Sequence, residues 1–300
     1  EIYFEEPYEH NCLVNAMCLG LAKTADMVRA AAAGVGNAVV LMGASTGRDG
    51  IGGASVLASA ELGEGDEAKR PTVQIGDPFE ESKLLECCLE LLEKGLLVSL
   101  QDLGAAGLTS SAGEMASAGG VGIDIDVAAV PLREADMEPF EIMVSESQER
   151  MLAVVEPGRV DEVVAICEKW QTGSARVGTV TDSSQIRILR GGEVVGEMPV
   201  AALVDGCPLY DLAPAEPAGW IYGNRAMLAA GASPAEELLA LLGAPNVASK
   251  RWAFEQYDSV VGSRTVRRPE AADAAVLQLP ESGNAIAVSI DGNGRRVACE

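Results

Sequence analysis

The stretch that most constrains this chain is Leu96-Leu-Val-Ser-Leu-Gln-Asp102, an apolar run that ends in a polar pair and meets the glycine-rich turn Gly104-Ala-Ala-Gly107. Thr109-Ser110-Ser111 and Glu114 then read as the start of a helix. Strand, acidic residue, glycine turn and helix in that order is the arrangement that places ligands at the carboxyl ends of strands in layered α/β structures. Leu96, Leu97, Val98 and Leu100 leave no solvent face, so the strand is expected to be interior to its sheet.

Other elements follow from local signals. Asn37-Ala-Val-Val-Leu-Met42 is a strand candidate running into a stretch with five glycines in eleven residues, Gly43 to Gly53. Asp77 can cap a helix that has Pro78 at its first position and Glu80 where a capping box wants it. Its apolar positions Leu84, Leu85, Cys88, Leu91 and Leu92 recur at helical spacing and stop at Gly95. Strands are expected at 122–127, 149–155 and 185–190, the last joined through Gly191-Gly192 to a hairpin partner at 193–198, with a helix from Arg159 to Trp170. Residues 12–33 are dense in helix formers and close on Gly34, which predicts a further helix. The mixture predicts an α+β domain with α/β-type layers over about 34–200, its sheet partly antiparallel. Proline and glycine then mark 201–249 as a linker carrying a short helix near Pro234 to Leu242. Strand candidates at 274–279 and 285–290 open a second domain from about 250.

Composition bounds the function. The chain has 300 residues, 48% of them apolar, which predicts about two domains with real cores. With 45 acidic against 22 basic side chains its net charge is −23, which argues against nucleic-acid binding. An anionic ligand would have to be held by backbone amides, a few placed cations or metal ions. No apolar run reaches the roughly 18–20 residues of a membrane helix, and the first residues form no signal peptide. Seven cysteines without zinc-site spacing read as reduced, mostly core thiols of a cytoplasmic protein. The absent initiator methionine and abrupt last residues suggest a segment of a longer protein.

Several residues could carry chemistry. Asp102, after a buried strand, could ligate a hard cation such as Mg²⁺ or simply cap a turn. Gln74 has an amide that both donates and accepts, although a loop glutamine commonly does neither. Glu146, Ser147 and Gln148 offer charge, hydroxyl and amide to a polar substrate, or form an ordinary loop. Thr46-Gly-Arg-Asp-Gly50 could be an anion nest with Arg48 as counter-charge, or a tight turn in which Arg48 pairs with Asp49 or a neighbour. It does not match the phosphate loop of Walker-type ATPases. The lone histidine, His10, has no partner for a triad and is assigned no catalysis.

Taken together, Thr46-Gly-Arg-Asp-Gly-Ile51, Pro71-Thr-Val-Gln-Ile-Gly-Asp-Pro78, Gln101-Asp-Leu-Gly-Ala-Ala-Gly-Leu-Thr-Ser-Ser111 and Ser145-Glu-Ser-Gln-Glu-Arg-Met151 resemble the synthetase subunit of phosphoribosylformylglycinamidine synthase. Tyr257-Asp-Ser-Val-Val-Gly262 and Asp291-Gly-Asn-Gly294 extend the likeness over essentially the whole chain. The resemblance implies the aminoimidazole-ribonucleotide-synthetase-like fold. Residues 1–33 would end a first nucleotide-side domain, 34–200 would be its partner, a synthetase C-terminal-like domain with a mixed sheet flanked by helices, and 250–300 would begin a second nucleotide-side domain. It implies an ATP-dependent carbon–nitrogen ligase of purine biosynthesis, acting on formylglycinamide ribonucleotide with Mg²⁺. A separate glutaminase subunit and a small bridging subunit are its expected partners, with no nucleic acid and no membrane. It implies Asp102 as a Mg²⁺ ligand and Gln74, Glu146, Ser147 and Gln148 as substrate-binding residues. The family's active-site histidines and first ATP-contacting residues would lie upstream, so no catalytic residue is assigned and this segment alone is expected to be inactive. The competing readings are another synthetase of the same superfamily and a non-catalytic binding or assembly module.

Overall fold

The computed structural model describes residues 2–5, 8–9, 12–53, 74–206, 208–211, 213, 233–268 and 271–290. His10, Cys207, Cys299 and Asp291-Gly-Asn-Gly294 lie outside the described residues. The chain divides into two compact units, Leu13–Tyr210 and a second made of Glu1–Cys12 with Asp211–Glu300.

The first unit is built on a seven-stranded mixed sheet. Its strands are β1 (Ala38–Gly43), β2 (Ser99–Asp102), β3 (Gly122–Asp126), β4 (Arg150–Val155), β5 (Gly173–Thr181), β6 (Gln185–Arg190) and β7 (Glu193–Pro199). Their order is β2-β4-β1-β5-β3-β6-β7, and every neighbouring pair is antiparallel except β3 with β6. The helices are α1 (Pro78–Glu93), α2 (Gly107–Gly119), α3 (Pro139–Val144), α4 (Val160–Lys169) and α5 (Val200–Val204).

Strand alternation sends side chains into two cores. Val39, Leu41, Leu152 and Val154 pack with Leu108, Ala112 and Met115 of α2 and with Ile142 and Met143 of α3. Ala38, Val40, Met42, Ala153 and Val155 pack on the other side with Leu84, Cys87 and Leu91 of α1 and with Val163, Ile166 and Cys167 of α4. The three central cysteines thus act as small apolar residues, and burial pushes the Cys88 thiol up to about 11.

The helix start at Asp77 forms as its residues dictate. The Asp77 carboxylate accepts from the amides of Phe79 and Glu80 at 3.0 and 3.1 Å. The reciprocal bond differs from a capping box, because the Asp77 amide donates to Glu149 at 2.9 Å while Glu80 accepts from Thr172 Oγ1 at 2.6 Å.

Two expectations are corrected. The strand ending at Asp102 is an edge strand, paired on one side only, with β4. Its apolar run reports two covered faces rather than two flanking strands. Leu96, Leu97 and Leu100 pack in the core beneath α1 and α4, and Val98 in the core beneath α2 and α3. Residues 12–33 do not form the expected helix. They hold one turn of 3₁₀ helix at Thr24–Asp26, with exposed side chains from Cys12 to Ala30. Helix-forming residues without an apolar face to bury gain too little to fix the backbone.

In the second unit, α6 (Pro234–Gly243) starts with a capping box between Ser233 and Glu236, and α7 spans Arg251–Phe254. Strands β8 (Thr265–Arg267), β9 (Ala275–Leu279) and β10 (Asn284–Val288) form an antiparallel sheet in the order β10-β9-β8.

Candidate functional site

The Ser145–Glu149 segment links α3 to β4, and it is the polar heart of the first unit. Ser145, Glu146, Ser147 and Arg150 are each at most 2% exposed. Buried polar groups persist only when hydrogen-bonded, and here the partners come from the glycine-rich loop after β1. Ser145 Oγ donates to the Gly47 carbonyl at 2.6 Å, and Ser147 Oγ accepts from the Gly47 amide at 2.9 Å and bonds the Asp49 carboxylate. The Glu146 amide donates to the Asp49 carbonyl at 2.8 Å.

The Glu146 carboxylate accepts from Gln74 Nε2 at 2.7 Å and from the Ala106 amide at 3.0 Å. Ala106 is the left-handed residue, φ 58°, at which the turn after Asp102 enters α2. Gly50 closes the same pocket. It has φ +59°, and a Cβ there would lie 2.8 Å from Glu146 Oε2 and 3.2 Å from Gln74 Cγ. Three of the sequence motifs, those containing Gly50, Gln74 and Glu146, therefore converge on one carboxylate, and the Ala106 amide ties in the fourth. No cation pairs with Glu146 among the described residues. The carboxylate is left as an acceptor whose attraction for a donor is strengthened by its dry surroundings.

Gln148 is half-buried, and its amide donates to the Glu146 carbonyl at 2.9 Å. Ser147, expected as a substrate-binding residue, is instead 1% exposed with its hydroxyl bonded to Asp49 and Gly47, so its part in the site is to hold the loop. Arg48 is taken up by Glu141 at 2.8 Å, Glu134 at 3.2 Å and the Asp136 carbonyl at 2.8 Å. Those carboxylates, Glu141 first, raise its pKa. Arg48 is thus taken up by carboxylates 86 and 93 residues away, Glu134 and Glu141, and Asp49 pairs with Arg133 in its place.

Two residues of this network, Arg133 and Arg150, were not singled out from the sequence, and Asp49 was expected only as a partner for Arg48. Asp49 is ion-paired with Arg133. Arg150 donates from Nη2 to the Ser145 carbonyl at 2.6 Å, from Nε to the Ser147 carbonyl at 2.8 Å and from Nη1 to Thr46 Oγ1 at 2.9 Å. Burial pulls its guanidinium down to about 10, with Asp49 opposing and Arg133 adding to the fall, so it stays charged at neutral pH. The available signal was an arginine opening an otherwise apolar strand, Arg150-Met-Leu-Ala-Val-Val155.

Asp102 stands at the carboxyl end of β2, exposed, with its carbonyl accepting from Ser111 Oγ at 2.8 Å. Its side chain lines a cavity of about 350 Å³ together with Val28, Ala30, Leu92, Leu100, Gln101 and Met151. Neither Gln74 nor Glu146 lines that cavity. The structure joins Gln74 to Glu146 directly, and relates Asp102 to them through the turn that ends at Ala106. A second cavity of about 530 Å³ is lined by Ile75, Asp77 and Glu149, neighbours of Gln74 and Gln148, and by Arg133 and Gly43–Ser45. Among the described residues no hydrogen bond or ion pair engages the Asp102 carboxylate, and no cluster of three metal-ligating side chains occurs. A lone free carboxylate fits Mg²⁺, which binds through one or two protein carboxylates and fills its other positions with phosphate oxygens and water.

The model of AIR synthase related protein, C-terminal domain, matches residues 34–191. The chain belongs to this family. Among curated AIR-synthase-related relatives, phosphoribosylformylglycinamidine synthase subunit PurL of Carboxydothermus hydrogenoformans is 50% identical over 297 residues, 99% of this chain and 40% of the relative. The same subunit of Moorella thermoacetica is 47% identical over 298 residues, 98% of this chain and 40% of the relative. The chain thus spans about 40% of the length of the curated relatives it matches. Among solved structures, T. maritima PurL complexed with FGAR superposes with a TM-score of 0.68 at 36% identity, over 85% of this chain and 39% of that one. The PurLQS structure from Thermotoga maritima gives 0.69 at 31% identity, over 88% and 39%.

Proposed function

We propose that this chain forms the substrate and Mg²⁺ wall of a phosphoribosylformylglycinamidine synthase, an ATP-dependent carbon–nitrogen ligase of purine biosynthesis. What carries the reading is the agreement along 99% of the chain with synthase subunits, together with the meeting of Gln74, Glu146 and the Ala106 amide at one buried carboxylate. A T. maritima relative complexed with FGAR supports formylglycinamide ribonucleotide as ligand, and its ATP complex supports ATP as the phosphoryl donor.

In this reading Gln74 and Gln148 offer amide donors and acceptors to the ribonucleotide, Glu146 accepts its N–H or hydroxyl groups, and Ser147 holds the loop against Asp49. Transfer of the γ-phosphoryl from ATP to the glycinamide carbonyl oxygen gives an iminophosphate, a better electrophile than the amide, and ammonia then displaces phosphate at that carbon to leave the amidine, with the formyl group untouched. Mg²⁺ held at Asp102 would offset the charge of the phosphates. Such a counter-ion suits a chain of net charge −23. Ammonia would come from a separate glutaminase subunit through an assembly with a small bridging subunit, for which the PurLQS structure is the support. Residues 1–33 and 250–300 are assigned to neighbouring nucleotide-side domains, 34–200 to the substrate and metal domain and 201–249 to the linker. The work is placed in the cytoplasm, and no helix among the described residues is long and apolar enough to cross a membrane.

The test is phosphate release by the intact protein. Release is expected only when formylglycinamide ribonucleotide, ATP, Mg²⁺ and ammonium are all present, while the 300-residue chain alone binds without turnover. Release that ignores the ribonucleotide would overturn the proposal.

A further inference from the structure

The loop that carries Glu146 is held largely by side-chain hydrogen bonds rather than by a strand or helix ladder, and one residue outside the loop brackets Glu146 on both sides. Arg150 bonds the carbonyls of Ser145 and Ser147, the two residues flanking Glu146, at 2.6 and 2.8 Å. Its third contact, to Thr46 Oγ1 at 2.9 Å, anchors that clamp to the loop after β1, whose Gly47 amide and Asp49 carbonyl meet Ser147 and Glu146 in turn. Arg150 is 2% exposed, lines neither cavity and directs its side-chain hydrogen bonds to Ser145, Ser147 and Thr46, so it has no direct path to a ligand. A planar guanidinium presents donors at fixed angles to several acceptors at once, which an ammonium on a flexible stem does not.

We propose that Arg150 is a positioning residue: by clamping the carbonyls on either side of Glu146 to Thr46, it sets the Glu146 carboxylate against Gln74 and the Ala106 amide, and so orients the ribonucleotide contact. The ligand part of this rests on the function proposed above; the positioning part does not.

The experiment compares Arg150→Lys with Leu152→Ala in the intact protein. Leu152 is fully buried on the same strand, two residues on, and its truncation costs stability without touching the loop. Amide hydrogen exchange at Gly47, Ala106 and Glu146 is measured first, then separate titrations with formylglycinamide ribonucleotide and with ATP. Arg150→Lys is expected to speed exchange at these amides and to weaken ribonucleotide binding about tenfold or more, the loss of one well-placed hydrogen bond, with ATP affinity unchanged. Leu152→Ala should lower Tm yet leave both affinities in place. Unchanged exchange at Glu146 and Ala106 in Arg150→Lys would overturn the positioning role, as would equal weakening of both ligands in the two variants. Faster exchange in a protein whose wild type binds no ribonucleotide would sustain the positioning of Glu146 and sink the function proposed above instead.

Discussion

Replacing Gly107 by alanine probes the closest backbone approach in the site. Gly107 opens α2 with φ +51°, and an added methyl there would overlap the Ser145 carbonyl oxygen, come 3.0 Å from its carbon and 3.3 Å from the Met143 carbonyl oxygen. The left-handed conformation costs an L-residue about 1–2 kcal/mol. Forcing a methyl against backbone that cannot rotate away adds about 1–3 kcal/mol. The Ser145 carbonyl is also the acceptor of Arg150 Nη2, so relief by moving it would loosen the clamp. A total of roughly 2–5 kcal/mol corresponds, at about 2–4 °C per kcal/mol for a unit of this size, to a Tm lowered by about 4–20 °C. Gly95→Ala separates the two contributions, because Gly95 has φ +60° with nothing within 4 Å of its Cβ position. It should cost only the conformational part. Thermal unfolding of both variants decides the matter: equal losses would refute the close approach, and a Gly107→Ala loss under about 1 kcal/mol would refute the strain as well.

Three further outcomes are expected. Asp102→Asn keeps the size of the side chain but removes its charge, so the Mg²⁺ concentration needed for turnover should rise, or turnover collapse, with unfolding unchanged; wild-type magnesium dependence would remove Asp102 as a ligand. Gln148→Ala removes an amide from the loop and should weaken formylglycinamide ribonucleotide by roughly 5- to 150-fold while sparing ATP, as read by separate titrations; loss of neither would make Gln148 an ordinary loop residue. Glu90 on α1 is held down to about 2, first by Lys169 and then by Lys94 and Trp170, from its ordinary 4.5. Its charge therefore stabilises fully above about 4.5 and loses that contribution as pH falls through about 2, so the Tm gap between wild type and Glu90→Gln should be constant at neutral pH and close between those values. A gap that closes above pH 5 would contradict the pairing.

Local signals proved sufficient where the cause is local. The cap at Asp77, the alternation of Gln185-Ile-Arg-Ile-Leu-Arg190 and the Gly191-Gly192 hairpin each express physics contained within a few residues, and each element formed. The lateral position of β2 was not legible, because an apolar run records which faces are covered and carries no trace of strand neighbours. The nine-residue strand β5, central in the sheet, escaped notice because Gly173-Ser-Ala-Arg-Val-Gly-Thr-Val-Thr181 mixes small and polar residues in place of an apolar alternation. In the site, the residue types of Gln74, Glu146 and Gln148 pointed to polar recognition. That Ser147 and Arg150 face inward depends on bonds to Gly47 and Thr46, 100 and 104 residues away, which only the folded sheet brings together.

The central claim is that Gln74 and Glu146 act as one contact for the ribonucleotide. A double-mutant cycle measures it directly: Gln74→Ala, Glu146→Ala and the double variant of the intact protein, each titrated with formylglycinamide ribonucleotide. If the 2.7 Å bond between them is part of the ligand contact, the two single losses should not add, and the coupling should reach about 0.5–3 kcal/mol. Additive losses within about 0.3–0.5 kcal/mol, or wild-type affinity in the double variant, would contradict the claim.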